Sequence, residues 1–182
     1  SDLIINNRVG KGTPEDGDFD TPEQFIPRKG AADRLWETCM TLNGTWGYKK
    51  NDHDWKSAKD VVRKLAEIAG KGGNFLLNAG PTEEGVIPAE SIRVFEEVGR
   101  WLIPNGEAIY GTTGFAAGPW GALTRKGNRL HAIIPERPPA GSPLILPLSA
   151  LIGKAALLQG GKPVRTESRK EGTALYLPED LP

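Results

Sequence analysis

One cysteine, Cys39, and two histidines, His53 and His131, are all that the 182 residues hold of the softer metal ligands. A single thiol excludes an internal disulfide framework and any zinc site built on cysteines, and two histidines far apart in sequence make a His-rich metal site a poor reading. Charge of one sign is missing as well: 23 basic residues balance 23 acidic ones. Nucleic acid and anionic membrane surfaces call for a basic stripe, so neither is an expected partner. Apolar runs are all far shorter than the roughly 20 residues of a membrane-spanning helix. The opening SDLIINNR has no Met, no basic leader and no apolar signal-peptide core. It reads as a strand entered in mid-fold. Compartment and oligomeric state stay open on these features.

What is present is an alternation. Leu3-Ile4-Ile5 is a short apolar run ending in Asn6-Asn7-Arg8. It reads as a parallel strand over 2–7 with polar side chains at its C-terminal end. A loop rich in Gly, Pro and Asp follows from Val9 to about Asp33, longer than structureless connections usually are and so a functional candidate. Leu35–Leu42 reads as the next strand, with the loop Asn43 to Tyr48 at its end. Ser57–Gly70 is expected to be a helix, because Val61, Val62, Leu65 and Ile68 recur at helical spacing before Gly70, Gly72 and Gly73. Asn74–Asn78 is again a strand. A second helix starts near Pro88, with Ile92, Phe95, Val98, Trp101 and Leu102 as its expected apolar stripe, and ends at Pro104-Asn105-Gly106.

Strands alternating with helices imply a parallel sheet over residues 1–112. From 113 to 182 the style changes to short apolar runs, at Leu130–Ile134, Leu144–Leu148, Ala155–Leu158 and Ala174–Leu177, separated by Gly/Pro turns. That spacing predicts an antiparallel β-domain. Three parallel strands leave unpaired edges, so the chain is expected to be an excerpt whose N-terminal half is missing.

Four groups stand just after expected parallel strands, where barrel enzymes build their sites. Glu15, Asp16, Asp18, Asp20 and Glu23 lie in the long loop. Hydrolysis of a glycosidic bond needs two carboxyl groups, one of them an acid, but residue type alone does not choose among these five, and loop carboxylates are mostly just solvated. Arg8 can donate to sugar hydroxyls or steady a carboxylate, against the plainer reading of an ion pair. Trp46, with Gly47 and Tyr48, can wall a sugar, while Trp36 reads as core. Asn78 is first of all a satisfied structural amide. The sequon Asn43-Gly44-Thr45 is discounted because its loop faces the cleft, and neither histidine takes a role.

Taken in order, Ile4-Ile5-Asn6-Asn7-Arg8-Val9-Gly10, Gly17-Asp18-Phe19-Asp20-Thr21-Pro22-Glu23, Trp36-Glu37-Thr38-Cys39 with Trp46-Gly47-Tyr48, Gly72-Gly73-Asn74-Phe75-Leu76-Leu77-Asn78-Ala79-Gly80-Pro81, and Gly99-Arg100-Trp101-Leu102 with Asn105-Gly106-Glu107-Ala108-Ile109-Tyr110-Gly111 resemble the α-L-fucosidases of glycoside hydrolase family 29. The resemblance is strong over residues 2–113 and loose beyond. Where many relatives have Asn-Asp-Arg-Trp, this chain has Asn6-Asn7-Arg8-Val9. Arg8 is kept and the aromatic is lost.

The resemblance implies the last strands of a (β/α)8 barrel followed by a small β-sandwich-like domain. It implies a retaining exo-hydrolase that releases terminal fucose from oligosaccharides or glycoconjugates, with no metal or organic cofactor. Glu23 maps to the general acid/base, Arg8 to a sugar contact and Trp46 to the pocket wall near the fucose methyl. The family's nucleophile, an aspartate in a Trp-Asn-Asp-like context, has no counterpart here, so the isolated chain is expected to be inactive. The rival reading is a non-catalytic carbohydrate-binding or scaffolding remnant.

Overall fold

The computed structural model describes residues 3–9, 17–30, 34–139, 141–148 and 153–179. Glu15 and Asp16 lie outside them. The first layer is a parallel sheet in the order β1 (Phe19–Asp20), β2 (Leu35–Thr41), β3 (Asn74–Asn78). Between β2 and β3 runs α1 (Ala58–Gly70), and after β3 comes α2 (Ala89–Asn105), closed by one 3-10 turn at Gly106–Ala108.

Two expectations need correction at the N-terminal edge. The strand expected over 2–7 is not formed over the described residues 3–7, where only Asn6 pairs, through one parallel bridge to Phe19. The long loop in turn contains β1, which inserts between that bridge and β2. Two backbone bonds hold this bridge, from the Asp18 amide to Ile5 O at 2.7 Å and from the Asn7 amide to Phe19 O at 3.1 Å, and side chains reinforce it. Asp18 Oδ2 accepts from the Ile5 amide at 2.8 Å, and Asn7 Oδ1 accepts from the Thr21 amide at 3.2 Å. Such local side-chain to backbone bonds compete with a regular ladder.

β2 alternates as a sheet with two different faces must. Trp36 and Met40 are buried on one side, while Glu37 and Cys39 look the other way and are only half-buried. On β3, Phe75 and Leu77 share the helix-covered face, and Leu76, opposite Cys39 in register, is 45% exposed. β3 has no second strand partner among the described residues.

α1 begins as its sequence dictates. Ser57 is the N-cap, its Oγ accepting from the Asp60 amide at 3.1 Å while donating to Asp60 Oδ2 at 2.7 Å. This satisfies one of the helix's orphan amides and places a carboxylate at the positive end of the dipole. On α2 the expected stripe packs through Val98, Trp101 and Leu102, joined by Val94, which was not expected. Val94 and Val98 are buried against Leu42 and Val61, whereas Ile92 and Phe95 stay 45% and 39% exposed. Both sets have helical spacing, and only the position of the neighbouring core selects between them.

Beyond Thr112 every strand pairing among the described residues is antiparallel. β4 (Thr113–Gly118), β5 (Gly121–Lys126) and β6 (Arg129–Ile133) form one sheet. The other runs β7-β10-β9-β8, with β7 Leu144–Leu146, β8 Ala155–Ala156, β9 Pro163–Arg169 and β10 Gly172–Tyr176. Leu123 of the first sheet packs on Leu146, Leu148 and Leu175 of the second, giving a small sandwich core. The architecture is the end of a (β/α)8 barrel followed by an antiparallel β-domain.

Candidate active-site cleft

At the C-terminal ends of the parallel strands a cleft of about 370 Å³ opens beside Arg8, Glu23, Trp46, Glu37, Cys39 and Leu76. Asn6 and Thr21 also line it, and Asn7 braces Thr21 from outside the cleft. Asn7 Oδ1 accepts from both the amide and the hydroxyl of Thr21, the latter at 2.8 Å, and Thr21 Oγ1 accepts from Arg8 Nε at 2.9 Å. The guanidinium is thereby aimed across the β1–β2 edge. Its Nη2 reaches Glu23 Oε2 at 3.0 Å and Cys39 Sγ at 3.3 Å. Both partners of this ion pair are nearly half exposed, at 47% and 42%, so it contributes roughly 0–1 kcal/mol to stability and is better read as orientation.

Glu23 is carried by a backbone that continues the parallel pairing past β1. The Cys39 amide donates to Pro22 O at 3.1 Å and the Gln24 amide to Cys39 O at 2.8 Å. Immediately after it Gln24 adopts φ of 63°, the left-handed region that costs a side-chain-bearing residue about 1–2 kcal/mol. The Gln24 amide group grips Thr41, donating to its Oγ1 at 3.2 Å and accepting from its backbone N–H at 3.3 Å. Those bonds offset the strain and turn the chain so that Glu23 points into the cleft.

Trp46 closes the far side. Its indole Nε1 donates to Glu23 Oε1 at 3.0 Å, and the ring is 39% exposed. The loop that presents it is pinned on β3: Asn78 Nδ2 donates to Trp46 O at 2.7 Å, so Asn78 is a structural amide. Gly80 lets that loop lie flat. A Cβ there would meet Gly47 C and Tyr48 N, both backbone atoms, at 2.7 Å. Trp36, by contrast, is 2% exposed and belongs to the core.

The structure therefore brings Arg8, Glu23 and Trp46 into one contact chain. The other loop carboxylates that it describes, Asp18 and Asp20, are held by neighbouring backbone and side chains and do not line the cleft. Asp18 holds the Ile5 amide, and Asp20 accepts from Asn7 Nδ2 at 3.4 Å and Arg34 Nε at 3.2 Å. The sequence assigns neither Glu37 nor Cys39 a place in the site. Their odd positions on β2, opposite in phase to the buried Trp36 and Met40, carry the signal that they face the cleft. No cluster of three or more potential metal ligands occurs among the described residues.

Fold and cleft together define a class: the closing strands of a (β/α)8 barrel, with polar and aromatic side chains gathered at the strand ends where barrel enzymes carry their sites. Comparison with known proteins narrows that class. The family profile described as Alpha-L-fucosidase matches residues 1–107, and the chain belongs to this family. An alpha-L-fucosidase of Dictyostelium discoideum is 31% identical over 99% of this chain and 42% of its own length. Tissue alpha-L-fucosidase of Bos taurus is 29% identical over 98% of this chain and 40% of its own. Among solved structures, alpha-L-fucosidase isoenzyme 1 from Paenibacillus thiaminolyticus superposes with a TM-score of 0.85 at 38% identity, covering 99% of this chain and 47% of that one. The chain thus spans about two fifths of the length of these curated relatives.

Proposed function

We propose that this chain supplies the general acid/base and one wall of the sugar pocket of a retaining α-L-fucosidase acting on terminal fucose of oligosaccharides or glycoconjugates. The observation that carries the reading is Glu23, whose two carboxyl oxygens are oriented separately by Trp46 and Arg8. In this scheme Glu23 protonates the glycosidic oxygen while a carboxylate from outside these 182 residues attacks the anomeric carbon. Glu23 then takes a proton from the water that releases fucose. Double displacement sets the two carboxyl groups roughly 5–5.5 Å apart, across the open side of the cleft. Arg8 donates to sugar hydroxyls and the Trp46 face packs against the fucose C–H and methyl groups. The exposed inward Leu76 and the single-partnered β3 support completion of the sheet by further strands.

The test is Glu23→Ala in a protein carrying the remaining barrel. Natural fucosides are expected to slow by about 10²–10⁴-fold, while activated aryl fucosides, whose leaving groups need little protonation, lose far less. Azide is expected to rescue the aryl substrate as a fucosyl azide. Equal losses and no rescue move the acid/base elsewhere. A full-barrel protein that binds fucose without turnover favours the carbohydrate-binding remnant.

A further inference from the structure

A second cavity lies on the other side of α1, at its seam with the β-domain, and shares no lining residue with the cleft. Its volume is about 390 Å³, within the roughly 300–1,000 Å³ of small-molecule sites. Arg63 and Glu67 of α1 form one wall, Trp120 in the two-residue β4–β5 turn the second, and Pro135, Glu136 and Pro138 after β6 the third.

The walls are preformed. A Cβ on Gly70 would meet Ala116 O at 2.7 Å and Ala122 Cβ at 2.8 Å, and one on Gly114 or Gly121 would strike backbone. Glycine at 70 and 114 lets the end of α1 press directly on β4 and β5, and glycine at 121 lets β5 start against Ile133 of β6. Gly118 similarly makes room for the indole edge, since its Cβ would stand 2.8 Å from Trp120 Nε1. Trp120 packs against the sandwich core and is half-buried, and its Nε1 has no hydrogen-bond partner among the described residues.

The charges in this cavity are paired. Glu136 Oε1 binds Arg63 and, at 3.3 Å, Lys59, while Glu67 Oε1 binds Lys71 at 2.5 Å. Both Oε2 atoms remain without partners among the described residues. Compensated carboxylates select neither a free anion nor a cation. They do offer acceptors beside a guanidinium donor and a flat ring with its own N–H, which is the complement of a molecule with alternating hydroxyls and C–H faces.

We infer that this seam is a saccharide-binding site for a neutral sugar unit, independent of the Glu23 cleft. The sugar's C–H face lies on Trp120, and its hydroxyls bridge Arg63 to the free oxygens of Glu67 and Glu136.

The probe is the ¹⁵N-labelled chain titrated with lactose, maltose and methyl α-L-fucoside. The readout is the Trp120 indole N–H resonance, assigned with Trp120→Phe. At least one sugar is expected to shift it saturably, with the same Kd in Trp46→Ala. Arg63→Ala, at a half-buried position of α1, is expected to raise that Kd about tenfold, the worth of one hydrogen bond to a charged group. Glu136→Gln, close to isosteric, is expected to weaken binding in the same direction. The inference is overturned if no sugar moves the resonance, or if the shift survives both substitutions unchanged. It is also overturned if inorganic phosphate or a polyproline peptide moves the resonance and the sugars do not. A Trp46 resonance that responds while Trp120 stays still overturns this site and leaves the cleft reading intact.

Discussion

Trp46 and Glu23, 23 positions apart in sequence, are joined by an indole-to-carboxylate hydrogen bond of 3.0 Å that bridges two loops at the mouth of the parallel sheet. Trp46→Phe keeps an aromatic wall and removes only the donor. In a protein with its barrel complete, kcat/KM for an aryl fucoside is expected to fall by roughly 10–100-fold, the cost of one hydrogen bond to a charged group. Trp46→Ala is expected to add a rise in KM. Steady-state kinetics separate the two, and wild-type kcat/KM in Trp46→Phe would show that this bond does not orient the acid.

The isolated chain is expected to give no turnover of an aryl α-L-fucoside above background, because one carboxyl group cannot perform double displacement. Turnover lost on Glu23→Gln would instead reveal a working nucleophile within these residues. Glu37, which lines the same cleft, is the first to replace in that event.

Gly80→Ala forces a methyl into the backbone of the Trp46 loop at 2.7 Å, so the loop must move. The expected cost is about 1–3 kcal/mol, read as a Tm lower by about 2–4 °C for each kcal/mol. Gly99→Ala is the control. It lies inside α2 with open space around it and is expected to be neutral or to stabilise by up to about 1 kcal/mol. Equal Tm changes for the two would show that the close approach at Gly80 is not constraining.

Asp60 titrates below the usual carboxylate range, chiefly because the Ser57 hydroxyl donates to it. A carboxyl with a depressed folded-state pKa contributes stability above its unfolded value, near pH 4, and loses it as pH falls through the lower folded value. The stability gap between wild type and Asp60→Asn is therefore expected to be widest near neutral pH and to close on acidification. Ser57→Ala removes the cap itself and is expected to cost about 1 kcal/mol at pH 7. Chemical denaturation of the three proteins across pH checks both, and a gap that widens in acid contradicts the assignment.

Local signals told most of the framework. An apolar run with polar ends marked β3, helical spacing and the glycines after Ile68 bounded α1, and ordered motifs carried the family. These are properties of a few neighbouring residues, and period and capping chemistry report them directly. The edge strand β1, the turn of α2 that buries Val94 and leaves Ile92 and Phe95 exposed, and the inward facing of Glu37 and Cys39 were decided by what packs alongside. A two-residue strand has almost no pattern of its own, and a helix with apolar residues on two faces is oriented only by the core it meets. Choosing Glu23 over Asp18 and Asp20 from the residues alone was likewise beyond local chemistry, since all are loop carboxylates. Tertiary contacts separated them, tying the aspartates to Ile5, Asn7 and Arg34 and leaving Glu23 between Arg8 and Trp46 in the cleft.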